Sequence, residues 1–281
     1  MKILITGAGG FLAGYLTRLL KAEKLILTDI REIDLSRFGD LDEVEKVSSE
    51  ILDITDYNAV YEILSRIQPA VILHLAAYTD VSRAEKEKDK YYNRCSQVNV
   101  LGTANIALAV PQVKKKYPDS CFVVYLSTDY VFDGEKGMYT EQDEPKPINY
   151  YALTKWQGEE KILDTLLGHC LVIRTSFKPR PYKHPEAPTD MWFSADYVDK
   201  IAPEIALAVL HHHFVVSNTP NGIIHIATER KSAYDLALLT NQDVLPTTRA
   251  EIKVKYETDL PRDVSLDTSL WRHIRQALPG I

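Results

Sequence analysis

MKILITGAGGFLAG, residues 1–14, sets a short aliphatic run from Lys2 to Thr6 directly against a glycine-rich turn and the first apolar positions of a helix. Gly7, Gly10 and Gly14 fall at that junction. A tight turn and close backbone approach there let a pyrophosphate rest on the free N–H groups and positive end of the helix. The same glycines would also serve a plain strand-to-helix connection. Their place between strand and helix favours dinucleotide binding.

Outward from this start, β-branched or aliphatic runs recur at Leu25 to Thr28, Ala70 to Leu75, Cys121 to Leu126 and Cys170 to Arg174. Between most of them lie stretches with helical spacing, as in Phe11, Leu12, Tyr15, Leu16, Leu19 and Leu20. Further helices are expected at about Asp56 to Ile67, Ser96 to Tyr117 and Ile148 to Leu167. Nearly continuous apolar strands separated by amphipathic helices are what a parallel sheet needs when both faces are covered. The expected fold is α/β, a doubly wound parallel Rossmann sheet over residues 1–176 with right-handed crossovers.

After Arg174 the rhythm breaks into TSFKPRPYKHPEAPTDMWF, residues 175–193. Pro179, Pro181, Pro185 and Pro188 exclude a regular helix or central strand and predict a loop or lid. Regular structure returns with an apolar helix near Tyr197 to Leu210, residues 197–211 being expected to pack back on the sheet. A strand at Ile223 to Ala227 and a helix from about Ser232 follow. Residues 177–281 thus read as a smaller substrate-binding cap.

The 281 residues are 45% hydrophobic with a formal net charge of −6, a pI near 5.8 and a mean hydropathy of −0.19. That closes a core and excludes disorder as the main state. The acidic balance leaves no general basic field for counterion release, so nucleic-acid binding is not expected. Cys95, Cys121 and Cys170 have no paired metal spacing and build no disulfide framework, which points to a reducing cytoplasm. Glycines cut the apolar start far short of a signal-peptide core. No stretch approaches the roughly eighteen apolar residues that cross a bilayer, so no membrane association is expected. KEKDK at residues 86–90 reads as a solvated helix face or loop.

Asp29 ends the second strand about twenty residues past the glycines, where a carboxylate can accept both hydroxyls of an adenosine ribose. It favours NADH, although Arg31 could swing onto the 2′-phosphate of NADPH, and a solvated turn aspartate is the plain alternative. Tyr151 and Lys155 stand four apart, on one face of a helix. An ammonium beside a phenol favours phenolate, which would make Tyr151 a proton donor or acceptor near neutral pH. Such a spacing arises by chance in a chain with 16 tyrosines. What distinguishes it is STDYVFDG, residues 127–134, which places hydroxyls at the carboxyl edge of the sheet.

Together these residues make the chain similar to the extended short-chain dehydrogenases/reductases, and within them to the dTDP-4-dehydrorhamnose reductases. The resemblance rests on TGAGGFL from Thr6, LDITD from Leu52, HLAAYTDV from His74, VNVLGTANIA from Val98, STDYVFDG from Ser127, YALTKWQGE from Tyr151 and IRTS from Ile173. It weakens at GIIHIA and returns at PRDVSLDTS from Pro261. It implies a catalytic trio of Thr128, Tyr151 and Lys155, with Tyr151 as general acid and Lys155 holding the nicotinamide ribose and keeping Tyr151 acidic. For NAD(P)H it implies Gly7, Gly10, Phe11, Leu12, Asp29, Ile30 and Arg31, then Asp53 and Ile54 at the adenine. Ala76, Ala77 and Thr79 would follow along the cofactor path, with Asn99 on the helix beside the active site. Thr128, Tyr130 and Arg262 are the implied contacts of a nucleotide-sugar substrate in glycan supply.

Related 4,6-dehydratases carry an Asp-Glu pair after the threonine. Here Asp129 is followed by Tyr130, so ketone reduction fits better than dehydration. A non-catalytic NAD(P)-binding subunit, a nucleotide-sugar epimerase and a reductase of a smaller ketone stay as alternatives.

The chain departs from the family pattern in several places. Ala13 replaces the usual third glycine, the segment between Ser176 and Tyr197 is short, and Leu260 stands where an arginine is common. Arg262 then faces a diphosphate or makes a salt bridge inside the cap. Lys178, Arg180 and Lys183 are either local cations for that diphosphate or solvated loop charges. His211, His212 and His213 are expected to meet a helix C-terminus, and no metal is expected. Trp192 and Phe193 are expected to pack the cap, an aromatic wall for a sugar or base being the other option. The resemblance also allows a homodimer.

Overall fold

A computed structural model describes residues 1–38, 46–166, 168–257 and 259–279. The aliphatic runs become strands of one seven-stranded parallel sheet. They are β1 (Lys2–Thr6), β2 (Lys24–Asp29), β3 (Val47–Ile51), β4 (Val71–His74), β5 (Phe122–Thr128), β6 (Cys170–Thr175) and β7 (Ile223–His225). The order is β7-β6-β5-β4-β1-β2-β3. Because β1 lies between β2 and β4, successive crossovers leave it in opposite directions and open a crevice at the strands' carboxyl ends.

Both faces are covered, as continuous apolar strands require. Helix α1 (Phe11–Leu19) shares one face with a helix at Val198–Leu210 and another at Ser269–Gln276, through buried Leu12, Leu16, Ile201, Ile205, Trp271 and Ile274. Helix α2 (Tyr57–Ile67) covers the other, starting at an Asp56 cap that accepts from the Asn58 and Ala59 amides at 2.9 and 3.2 Å. Beside it pack α3 (Thr103–Lys116) and α4 (Tyr150–Leu166), through Val60, Leu64, Ile106, Val110 and Ile162. Burial of each such aliphatic side chain stabilises by about 1.5–3 kcal/mol.

Several local expectations change. The helix expected over Ser96 to Tyr117 is interrupted by a π-helical turn, Gln97–Gly102. The helix expected from Ile148 begins at Tyr150, and its expected last residue, Leu167, lies outside the described residues. Edge strand β3, VSSEI, has no apolar run because none of its residues is fully buried. The proline-rich stretch holds three short strands: Phe177–Lys178 pairs with Asp196–Tyr197, Glu186–Pro188 with Leu245–Thr247, and Trp192–Phe193 with Lys231–Ser232.

The segment after residue 176 is therefore not one unit. A cap builds its own core from Phe132, Tyr139, Phe193, Tyr197, Leu236 and Leu266. Yet β7 joins the sheet beside β6, and Trp271 and Ile274 return the chain to the α1 face. His212 Nδ1 bonds the Val209 carbonyl at 2.9 Å, at the end of the Val198–Leu210 helix.

Candidate active site

The β1–α1 turn is fixed by Gly7, whose φ of +68° suits glycine and where a Cβ would stand 2.6 Å from Ala76 Cα. Among the described residues no side chain caps α1, and Gly10, Phe11, Leu12 and Ala13 line a cleft of about 510 Å³. Its first N–H groups are thus left to an anion. Asp29 Oδ2 accepts from the Gly9 amide at 3.0 Å, and Asp29 lines the same cleft. Ile30 and Arg31 continue the rim. An adjoining hollow of about 210 Å³ is walled by Asp53, Ile54, Ala76, Ala77 and, with no motif to announce it, Arg94. An uncapped helix start, a glycine pressed on the β4 loop and a carboxylate at the end of β2 fit a dinucleotide.

Past Thr79 the lining passes to Thr128, Tyr130, Tyr151 and Lys155, so the catalytic residues implied by the resemblance share one cleft with the glycine turn. The partnership of Tyr151 with Lys155 differs from the expectation. Lys155 Nζ donates to the Leu126 carbonyl at 2.8 Å and stands 4.0 Å from the centroid of the Tyr125 ring. Burial, then the Asp129 and Cys95 charges, push the Tyr151 phenol above its ordinary value, against a hydrogen bond from Thr128. The Lys155 ammonium is not among the causes that shift Tyr151, and burial favours the protonated phenol. Burial brings the Lys155 ammonium down to about 7, against the attraction of Glu159.

What aims α4 at the cleft lies beneath it. Glu159 accepts from Arg174 of β6 through Nε at 3.0 Å and Nη2 at 2.7 Å, with both side chains buried. Gly158 lets the helix settle on β5, since a Cβ there would meet Tyr125 Oη at 2.4 Å.

Two implied contacts stand elsewhere. Asn99 is buried behind the lining. Its Oδ1 accepts from the Tyr78 amide at 2.8 Å, and its Nδ2 donates to the Tyr78 carbonyl at 3.1 Å and Thr154 Oγ1 at 3.0 Å. It thus ties the β4 loop to α4. Arg262 is exposed, and its Nη2 donates to the Glu135 carbonyl at 3.0 Å; it does not line the main cleft. Arg180 pairs with Asp199 at 2.9 Å. Lys178, one of three loop cations singled out above, lines the cleft instead, with Ser176 and Phe177. Burial lowers its ammonium, against the attraction of Asp129.

Residues 1–178 match the protein family described as RmlD substrate binding domain. The chain is 36% identical over 177 residues to a dTDP-4-dehydrorhamnose reductase of Aggregatibacter actinomycetemcomitans, a match covering 63% of this chain and 51% of that one. It is 32% identical over 167 residues to methionine adenosyltransferase 2 subunit beta of Bos taurus, covering 59% and 44%. The chain spans about half the length of the curated relatives it matches. Among solved structures, a dTDP-4-dehydrorhamnose reductase of Bacillus anthracis str. Ames in complex with NADP aligns with a TM-score of 0.70 and 25% identity, covering 97% of this chain and 92% of that one.

Proposed function

The chain belongs to the RmlD substrate-binding domain family, and on that premise we propose that it is an NAD(P)H-dependent reductase of a 4-keto group on a nucleotide-activated deoxysugar. The observation that carries this reading is the single cleft shared by the Gly7 turn and by Thr128, Tyr151 and Lys155.

When bound, NAD(P)H supplies the hydride. The N–H groups at the start of α1 hold the diphosphate, and Asp29 accepts from the adenosine ribose. Tyr151, protonated at neutral pH, gives its proton to the carbonyl oxygen as the alkoxide forms. Thr128 steadies that oxygen by a hydrogen bond. Lys155, which lines the same cleft, offers positive charge where negative charge develops, and the buried setting strengthens that effect. Asp29 favours NADH over NADPH in this reading.

A second reading, a cofactor-holding subunit without turnover, is favoured by the relative named as an adenosyltransferase subunit. NADH and NADPH oxidation in the presence of dTDP-4-keto-6-deoxy sugars separates the two. Turnover with such a sugar is expected. Tight cofactor binding with no oxidation on any of them would replace the reductase by the subunit.

A further inference from the structure

The Thr128 hydroxyl has one hydrogen and several neighbours. Its Oγ1 accepts from the Tyr130 amide at 3.2 Å and donates to Asp129 Oδ1 at 3.1 Å, and Tyr151 lines the same cleft. An ionised carboxylate only accepts, so beside an ionised Asp129 the Thr128 hydrogen points at Oδ1 and away from the cleft. Once protonated, Asp129 can donate to Oγ1 and free that hydrogen for the carbonyl oxygen that Tyr151 protonates. We propose that Asp129 is a positioning residue whose protonation turns the Thr128 hydroxyl from an idle direction into the productive one. The inference rests on the reductase reading above.

The surroundings of Asp129 suit a group that changes state. It is 1% exposed, and its Oδ2 has no hydrogen-bond partner among the described residues. An unpartnered buried oxygen is costly as an anion and less so as an acid. The charged and titrating groups facing it are Lys178 from the strand after β6, Tyr151 from α4 and Tyr130 from its own turn, with the Ser176 hydroxyl beside them. Burial raises the carboxyl to about 6, against Lys178 and the Thr128 and Ser176 hydroxyls. Lys178 therefore opposes the productive state by favouring the carboxylate.

The test is the pH profile of the single-turnover rate of NAD(P)H oxidation with a dTDP-4-keto-6-deoxy sugar. The wild-type rate is expected to rise by more than tenfold from pH 8 to pH 7, where the Asp129 carboxyl and the Lys155 ammonium both gain protons, and to level off below about 6. In Asp129→Asn the amide donates to Oγ1 at every pH, so only the shallower rise around pH 7 that belongs to Lys155 remains while turnover persists. Lys178→Met removes the opposing charge and moves the limb about one pH unit upward. A rise in Asp129→Asn as steep as that of the wild type, or turnover lost in that variant at all pH values while cofactor still binds, overturns the proposal. If Asp129→Asn fails to fold, Lys178→Met decides: a limb that stays in place or moves to lower pH overturns it. Absence of turnover in the wild type sinks the reductase reading itself. Wild-type turnover with the wrong limb sinks only the role of Asp129.

Discussion

The nucleotide flank of the cleft, from Gly7 to Ile54, is built of backbone donors, a glycine turn and two partly exposed carboxylates, Asp29 and Asp53. The flank from Thr128 to Lys178 is built of titrating side chains whose burial displaces them from their ordinary pKa values. The first kind of site needs little beyond a strand, a turn and a helix in sequence. The second exists only once α4, β5, β6 and the cap have packed, since each displacement is caused chiefly by burial. Recognition of the nucleotide should therefore survive changes that abolish proton transfer.

The largest expected effect tests that separation directly. Tyr151→Phe keeps the ring and removes the proton, so turnover should fall by about 10²–10⁴-fold. NADH affinity, measured by fluorescence titration of the same variant, should be unchanged. If affinity falls in step with turnover, the two flanks are one coupled site and the contrast fails.

Glu159→Gln comes next. It leaves Arg174 buried without its charge partner, in a pair 2% and 1% exposed, and Arg174 Nη1 already lacks a hydrogen bond among the described residues. Removing one partner of a buried ion pair costs about 3–5 kcal/mol. Urea denaturation should show that loss. Below the transition, turnover should fall more than cofactor affinity, because the pair anchors α4 and not the glycine turn. Equal losses would mean that the pair holds the whole domain and has no special part in aiming Tyr151.

The same contrast explains what was legible before folding. The glycine turn, the apolar strands and the four-residue step from Tyr151 to Lys155 are short-range patterns, and the sheet and most of the cleft lining follow from them. What depends on distant packing was hidden. Spacing puts Lys155 beside Tyr151, but only the approach of β5 shows that its ammonium bonds the Leu126 carbonyl and lies over Tyr125. Asn99 is a positioning residue because the loop at Tyr78 passes it, which no motif records. Edge strand β3 carries polar residues because none of its side chains is fully buried. Lys178 was one of three loop cations until the strand after β6 turned it alone into the cleft.

The smallest expected effect concerns the nucleotide flank alone, and it asks whether Asp29 reads the ribose or merely holds the turn. Its Oδ2 accepts from the Gly9 amide at 3.0 Å, and an asparagine oxygen can keep that bond. Asp29→Asn therefore preserves the turn and removes only the charge. A carboxylate accepting ribose hydroxyls makes charge-assisted bonds worth about 1.5–3 kcal/mol each, roughly twice a neutral bond. NADH affinity should therefore fall by roughly tenfold, which is about 1.4 kcal/mol. NADPH should lose less or gain, because its 2′-phosphate no longer meets a carboxylate while exposed Arg31 remains on the same rim. Titration of both cofactors against wild type and variant gives the ratio directly. An equal loss for the two would reduce Asp29 to an anchor of the Gly9 turn, and the cofactor preference would then have to lie with Arg31.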